Sequence, residues 1–351
     1  MTWSGKRVLV TGHTGFKGAW LAWWLSRSGA AVTGYALPAD EGRPNLFRAL
    51  RLDAAIESAL GDVRDRSAVR RFVERVKPDA VFHLAAQALV RAAYADPAGT
   101  FETNVAGTAA LLDAVRTSDS VRAVVVVTSD KCYLPRSSGA PYREDDPLGG
   151  YDPYGASKAA QEIVAAAYRS SYFAAGPLLA TVRAGNVIGG GDWSADRLVP
   201  DAIDALLGKA PLVLRYPDAV RPWQHVLEPL HAYLVVAERL LGGDAEVASA
   251  FNVGPGESGH RTVAEVIDLL YAAWGRAPAW ERAAGIQPAE APVLRLDAGK
   301  AARALSIVPR FGLEVACRRT AEWYRAWSQG ADARALCDAD IDAFAGPACN
   351  A

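Results

Sequence analysis

Residues 7–18 read RVLVTGHTGFKG. The aliphatic run VLV gives way to Gly12, Gly15 and Gly18, and the chain continues into AWLAWWLSRSG, which has helical apolar spacing. A strand that passes through a glycine-rich turn into a helix opens a βαβ unit. Glycine permits the tight turn and the close approach of backbone to a diphosphate, and the helix N-terminus supplies amide donors and a favourable dipole. The segment therefore predicts a dinucleotide site as well as the topology around it.

Working outward, short aliphatic runs keep alternating with amphipathic ones: AAVTGYAL, RSAVRRFVERVK, DAVFHLA, TNVAGTAALLDAVRTS and VRAVVVVTS. This rhythm predicts an α/β fold with a Rossmann-type, doubly wound parallel sheet. Pro153 follows Asp152 and opens a long helix through YGASKAAQEIVAAAYRSSYF, after which PLLATVRAGNV reads as a further strand. Beyond Gly189 the text becomes rich in Gly, Pro, Arg and Trp, as in GGGDWSADR and RYPDAVRPWQH. The expected organisation is a dinucleotide-binding domain over 1–186 that carries the catalytic residues. A smaller, discontinuous C-terminal lobe over 187–351 mainly binds substrate, and segments near 220–256 return to the main domain.

The formal charge of −1 over 351 residues gives no general attraction for nucleic acid or an anionic membrane, so an anionic ligand needs a local cluster of donors. Cys132, Cys317, Cys337 and Cys349 show no CxxC spacing, which argues against a zinc site and a disulfide framework. The chain runs from MTWSGK directly into the first strand, and no apolar run is long enough to span a bilayer. The expected compartment is a reducing cytoplasm, with no metal, nucleic acid or membrane partner.

Tyr154 and Lys158 in YGASK stand four residues apart, on one face of a helix. A nearby ammonium favours phenolate, so this pair predicts a proton acceptor for a substrate hydroxyl. The buried strand VRAVVVV ends in Ser129, Asp130 and Lys131. In open α/β sheets ligands bind at the carboxyl ends of strands, so Asp130 and Lys131 are expected in the same crevice as an added acid and base; the competing reading is an ion pair that caps the strand. Asp62 in GDVRD is either a turn former or a cofactor contact. The second strand ends GYALPADEG, with Asp40, Glu41 and Arg43 all beyond its tip, and this leaves NAD and NADP undistinguished. His83, Arg183 and the tryptophans Trp20, Trp23, Trp24, Trp193 and Trp223 are expected to be structural.

The spacing GxxGxxG resembles that of the extended short-chain dehydrogenase/reductases. VTGHTGFKGAWL, VFHLAAQALVR, TNVAGT, VTSDKCY, GGYDPYGASKAAQE, RAGNVIGGGDW and RPWQHV, spread over about residues 7–327, are similar to the CDP-glucose branch of the sugar-nucleotide 4,6-dehydratases. Lys131 stands where many members of the wider group carry Glu. The resemblance implies bound NAD, held by Gly12, Thr14, Gly15, Phe16, Lys17, Gly18, Asp62, Val63, Leu84, Ala85, Ala86, Asn104, Tyr154 and Lys158. It implies a nucleotide-sugar substrate, with CDP-glucose favoured, held by Gln87, Asn186, Arg197, Leu198, Arg221 and His225. It further implies catalysis by Ser129, Asp130, Lys131, Tyr154 and Lys158, and a homodimer or homotetramer formed through paired helices that include the one bearing Tyr154. The alternatives are a dehydratase for another nucleotide sugar, a sugar-nucleotide 4-epimerase, which needs no acid and base for carbons 5 and 6, and a nonenzymatic NAD-binding scaffold.

Overall fold

The computed structural model describes residues 3–285 and 290–346. Its strands are β1 (Arg7–Thr11), β2 (Ala31–Ala36), β3 (Glu57–Leu60), β4 (Ala80–His83), β5 (Ala123–Val127), β6 (Leu178–Ala184), β7 (Asn186–Ile188), β8 (Val213–Leu214), β9 (Val220–His225), β10 (Ala250–Val253), β11 (His260–Thr262) and β12 (Glu281–Arg282). The seven-stranded sheet has the order β10-β6-β5-β4-β1-β2-β3, and every pairing in it is parallel. The order reverses between β1 and β4, so the crevice beyond their carboxyl ends is where a doubly wound sheet takes its ligand.

Strand β5, AVVVV, is buried along its whole length because helices cover both faces of the sheet. One face packs against the helices Arg66–Val76 and Gly107–Arg116, and the other against Phe16–Arg27 and Leu227–Leu241. Helix Pro153–Ser171 starts with the Asp152 side chain accepting from Gly155 N and with Pro153 in its first turn. It buries Tyr154, Ser157, Lys158, Gln161 and Glu162, a largely polar face. Those residues need internal partners, which fixes them in position.

Two smaller sheets, three-stranded β11-β9-β7 and two-stranded β12-β8, lie outside the seven-stranded one. The region near 220–256 divides between the small and large sheets. Strand β9 stays in the small sheet, whereas helix Leu227–Leu241 packs on β4, β5 and β6, and β10 becomes the edge of the large sheet. The final helix, Ala333–Ala345, covers the first: Trp23 Nε1 donates to Asp338 at 2.9 Å and Trp24 meets Phe344 edge-on. Trp20 donates to Gly190 O, so all three tryptophans of that run serve packing. Among the described residues no helix is long and apolar enough to cross a membrane.

Candidate active site

The glycine turn takes its shape from close contacts. Gly12 has φ +78°, and a Cβ there would lie 2.7 Å from Ala85 N; a Cβ on Gly18 would lie 2.0 Å from Gly12 O. Any larger residue would push β1, the loop after β4 and the first helix apart. Gly15 precedes helix Phe16–Arg27, and no side chain caps that N-terminus. A Cβ on Gly15 would meet only Gly12 O, at 3.4 Å, so this side of the turn is open to the cleft. An uncapped helix start beside open space is suited to a diphosphate, and these residues therefore fit a dinucleotide.

One cleft of about 860 Å³ is lined by Gly12, Thr14, Gly15, Phe16, Lys17, Gly18, Asp62, Val63, Leu84, Ala85, Ala86 and Gln87. Ser129, Asp130, Lys131, Tyr154, Lys158, Asn186, Arg197, Leu198 and Arg221 line the same cleft. Asp62 receives Arg64 N at 2.9 Å and Arg64 Nε and Nη2 at 2.8 and 2.6 Å, and the guanidinium holds its carboxyl below the usual range. Thr14 Oγ1 donates to Leu37 O, which ties the turn to the second-strand tip, where Asp40 also reaches the cleft.

At the end of β5, Ser129 Oγ donates to Asp130 Oδ1 at 3.0 Å and accepts from Lys131 N at 3.2 Å. Asp130 is 3% exposed and its Oδ2 has no partner. Burial raises its carboxyl above the ordinary range, against the opposing pull of Lys131 and the Ser129 hydrogen bond, and so favours the protonated form. Thr128, one residue earlier, donates to Glu162 Oε1 at 2.5 Å; Glu162 Oε2 receives Thr181 Oγ1 at 2.8 Å and Arg183 Nη2 at 2.9 Å. This fully buried pair pins the Pro153–Ser171 helix to β5 and β6 and gives Arg183 its structural place.

Tyr154 differs from the expectation that Lys158 depresses its phenol. Burial pushes Tyr154 up to about 12, a hydrogen bond with Ser129 and the charge of Arg197 pull the other way, and Lys158 is not among the groups that shift it. Lys158 Nζ donates to Gln161 Oε1 at 2.8 Å and Val127 O at 3.3 Å. Its own pKa is lowered to about 7 by burial and by the charge of Lys17. Lys17, lowered to about 8 for want of solvent, donates to Tyr233 Oη at 3.3 Å.

Two assigned contacts fall outside the cleft wall. Asn104 is fully buried: its Oδ1 accepts from Gln87 N, and its Nδ2 donates to Gln87 O and Ser157 Oγ, so it shapes the wall without lining it. His225, expected as a substrate contact, is buried and does not line the cleft. Its Nδ1 accepts from Leu227 N, its ring packs edge-on to Phe311, and Nε2 faces Asp340 Oδ2 at 3.9 Å, because the inward side of β9 at that residue points to the C-terminal helices. Gln87 lines the cleft, but its amide is committed to Leu89 and Thr100.

Other wall residues were missed by the sequence reading. Glu290 pairs with Arg221 Nη2 at 3.0 Å, and the charges of Lys131 and Arg221 outweigh its burial to keep it ionised. It stands in AEAPV, which carries no motif. Asp201, raised to about 6 by burial and by Asp196, lines the wall one turn after Arg197. Cys132, Cys317 and Cys337 are free and buried, with thiols pushed up by burial; Cys349 lies outside the described residues. Among the described residues no group of three or more His, Cys, Asp or Glu is placed to hold a metal.

Residues 8–254 match the model of the NAD dependent epimerase/dehydratase family. The chain is 46% identical over 336 residues to the CDP-glucose 4,6-dehydratase of Salmonella typhimurium, covering 94% of this chain and 93% of that one. It is 30% identical to the dTDP-glucose 4,6-dehydratase of Streptomyces griseus, over 91% of this chain and 95% of that one. The crystal structure of DesIV, a dTDP-glucose 4,6-dehydratase from Streptomyces venezuelae solved with NAD bound, superposes with a TM-score of 0.78 at 28% identity, over 91% of this chain and 97% of that one. The glycine turn, the Tyr154–Lys158 pair and the matched length converge, and the chain belongs to the NAD dependent epimerase/dehydratase family.

Proposed function

We propose that the protein is a hydro-lyase that converts CDP-D-glucose to CDP-4-keto-6-deoxy-D-glucose and water, for deoxysugar and surface-polysaccharide synthesis. The observation that carries this reading is the Ser129–Asp130–Lys131 strand end, which faces the same cleft as Tyr154 and Lys158 and includes an aspartate with a free, buried oxygen. An epimerase has no use for that added pair. The nucleotide assignment follows the 46% identity with a CDP-glucose enzyme.

NAD would be held by the Gly12–Gly18 turn, Asp62 and the Leu84–Ala86 backbone, and when bound would supply the reversible hydride acceptance that the oxidation at carbon 4 and the reduction at carbon 6 require. The deprotonated form of Tyr154, which burial disfavours and the Ser129 hydrogen bond and Arg197 charge favour, takes the proton of the carbon-4 hydroxyl while Ser129 Oγ hydrogen-bonds the same oxygen. The ketone acidifies carbon 5, and Lys131 is the base that removes that proton. Asp130 protonates the carbon-6 hydroxyl, which departs as water. Burial raises the Asp130 carboxyl, which favours the protonated form that an acid at this position needs. Lys158 faces the same cleft as an anchored cation beside Tyr154, and Arg197 and Arg221 hold the substrate diphosphate.

We also read the chain as a cytoplasmic homodimer or homotetramer paired through helices that include the one bearing Tyr154. A panel of CDP-, dTDP-, GDP- and UDP-hexoses assayed for a 4-keto-6-deoxy product tests the function. Turnover is expected with CDP-glucose first. A carbon-4 epimer formed without loss of water would replace the reading with an epimerase, and no turnover of any member would leave a binding protein.

A further inference from the structure

A continuous line of hydrogen bonds crosses the interior from Lys158 to the loop behind the glycine turn. Lys158 Nζ donates to Gln161 Oε1 at 2.8 Å, and Gln161 Nε2 donates to Thr108 Oγ1 at 2.8 Å. Thr108 Oγ1 gives its only proton to Asn104 O at 2.7 Å and lies 3.0 Å from His83 Nε2. On the other side of the ring, His83 Nδ1 lies 2.8 Å from Thr11 Oγ1, which accepts from Ala85 N at 3.2 Å. Thr11, His83, Thr108 and Gln161 are each no more than 1% exposed, so every donor and acceptor in the line must be matched within it.

Counting protons leaves one arrangement. Thr108 has spent its hydrogen on Asn104 O, so His83 Nε2 must carry a proton to face it. Thr11 Oγ1 already accepts from Ala85 N–H, and its own hydrogen finds an acceptor in His83 Nδ1. The opposite tautomer sets Nε2 against a hydroxyl with no proton to give, and a doubly protonated ring buries a charge with no anion beside it. The orientation of Gln161 follows too, since a flipped amide would point NH₂ at the ammonium.

We propose that His83, as its neutral Nε2–H tautomer, is a positioning residue for Lys158, acting through Thr108 and Gln161 and anchored by Thr11 to the Ala85 backbone. Lys158 has three N–H bonds; Gln161 and Val127 O hold two of them, and the line thereby aims the third into the cleft. The same line fixes Ala85 N, so the wall that takes the cofactor and the lysine that faces it are set by one network. The functional half of this inference rests on the reading of Lys158 as catalytic, whereas the tautomer does not.

Histidine-selective ¹⁵N NMR reads the tautomer without substrate, with the His83 signals assigned by elimination as His13, His225, His231 and His260 are substituted one at a time. The expected pattern is a single Nε2–H form that does not titrate across about pH 5 to 8. An Nδ1–H form, or titration in that window, overturns the proposal. Single-turnover formation of NADH with CDP-glucose then tests the link: His83→Phe and Gln161→Leu should each slow it roughly tenfold with KM within about twofold, and the double variant should be little slower than either single one. Additive losses, or losses confined to KM, overturn the positioning role. Should the variants not fold, the wild-type spectrum still decides the tautomer on which the proposal stands, and absence of turnover by wild type counts against the substrate reading alone.

Discussion

At the β5 end of the cleft, Ser129, Asp130 and Lys131 are consecutive, and Tyr154 and Lys158 face them from a single helix turn; Asp130 and Lys158 are each 3% exposed. At the rim, Arg197, Asp201, Arg221 and Glu290 come from three separated segments, and the Arg197 side chain is 36% exposed. The strand end is dry, so burial sets its charge states and internal hydrogen bonds hold its geometry. At the rim Arg197 is partly exposed and the buried Arg221 is paired across the cleft wall with Glu290, so an incoming anion can exchange partners with side chains such as Glu290. Chemistry is thus assigned to the rigid end and recognition to the adjustable one.

The largest expected effects lie at the rigid end. Tyr154→Phe keeps the ring and removes the proton acceptor, so the opening oxidation should slow by about 10²–10⁴-fold and transient NADH absorbance should not appear. Lys131→Met acts one step later: carbon 4 is still oxidised, but solvent deuterium no longer enters carbon 5 and a 4-keto sugar accumulates with NADH, with turnover lowered by about 10²-fold or more. Normal deuterium incorporation by Lys131→Met would return Asp130 and Lys131 to a strand-capping ion pair. Different blocked steps in the two variants sharpen the division of labour within one strand end.

Arg221→Ala probes the rim. Calorimetry should show substrate binding weakened about 10–100-fold with NAD binding unchanged, because the lost contacts are charge-assisted and the exposed Glu290 carboxylate then repels the diphosphate. Equal losses for both ligands would place Arg221 among the structural residues and erase the contrast. The smallest effect is a pH dependence. Asp201, raised to about 6, is neutral below that pH and anionic above it, so KM for the anionic substrate should rise about two- to threefold as pH passes upward through 6. Asp201→Asn should flatten that rise; an unchanged profile in the variant assigns the titration to another group.

The parts legible in the sequence are those whose geometry is local. GHTGFKG, YGASK and VTSDK each place their functional groups within a turn or two of backbone, and the alternation of aliphatic and amphipathic runs foretells a parallel sheet. Asn104 and His225 show where locality ends: both sit in recognisable segments, yet packing turns one behind the wall and the other toward the C-terminal helices. His83 looked like an ordinary buried strand residue, and its place in the line to Lys158 emerges only when β1, β4 and two helices meet.

Sequence by itself determined the fold class, the glycine turn and the candidate acid–base side chains, because backbone sterics and helical or strand periodicity act over a few residues. The tertiary structure alone decided that Glu290 reaches Arg221 across 69 positions, that Asp130 keeps an oxygen without a partner, and that Lys158 lies nearer neutrality than an ordinary lysine. Those properties depend on distance and on exclusion of water, which are set only when remote segments close around the same cleft.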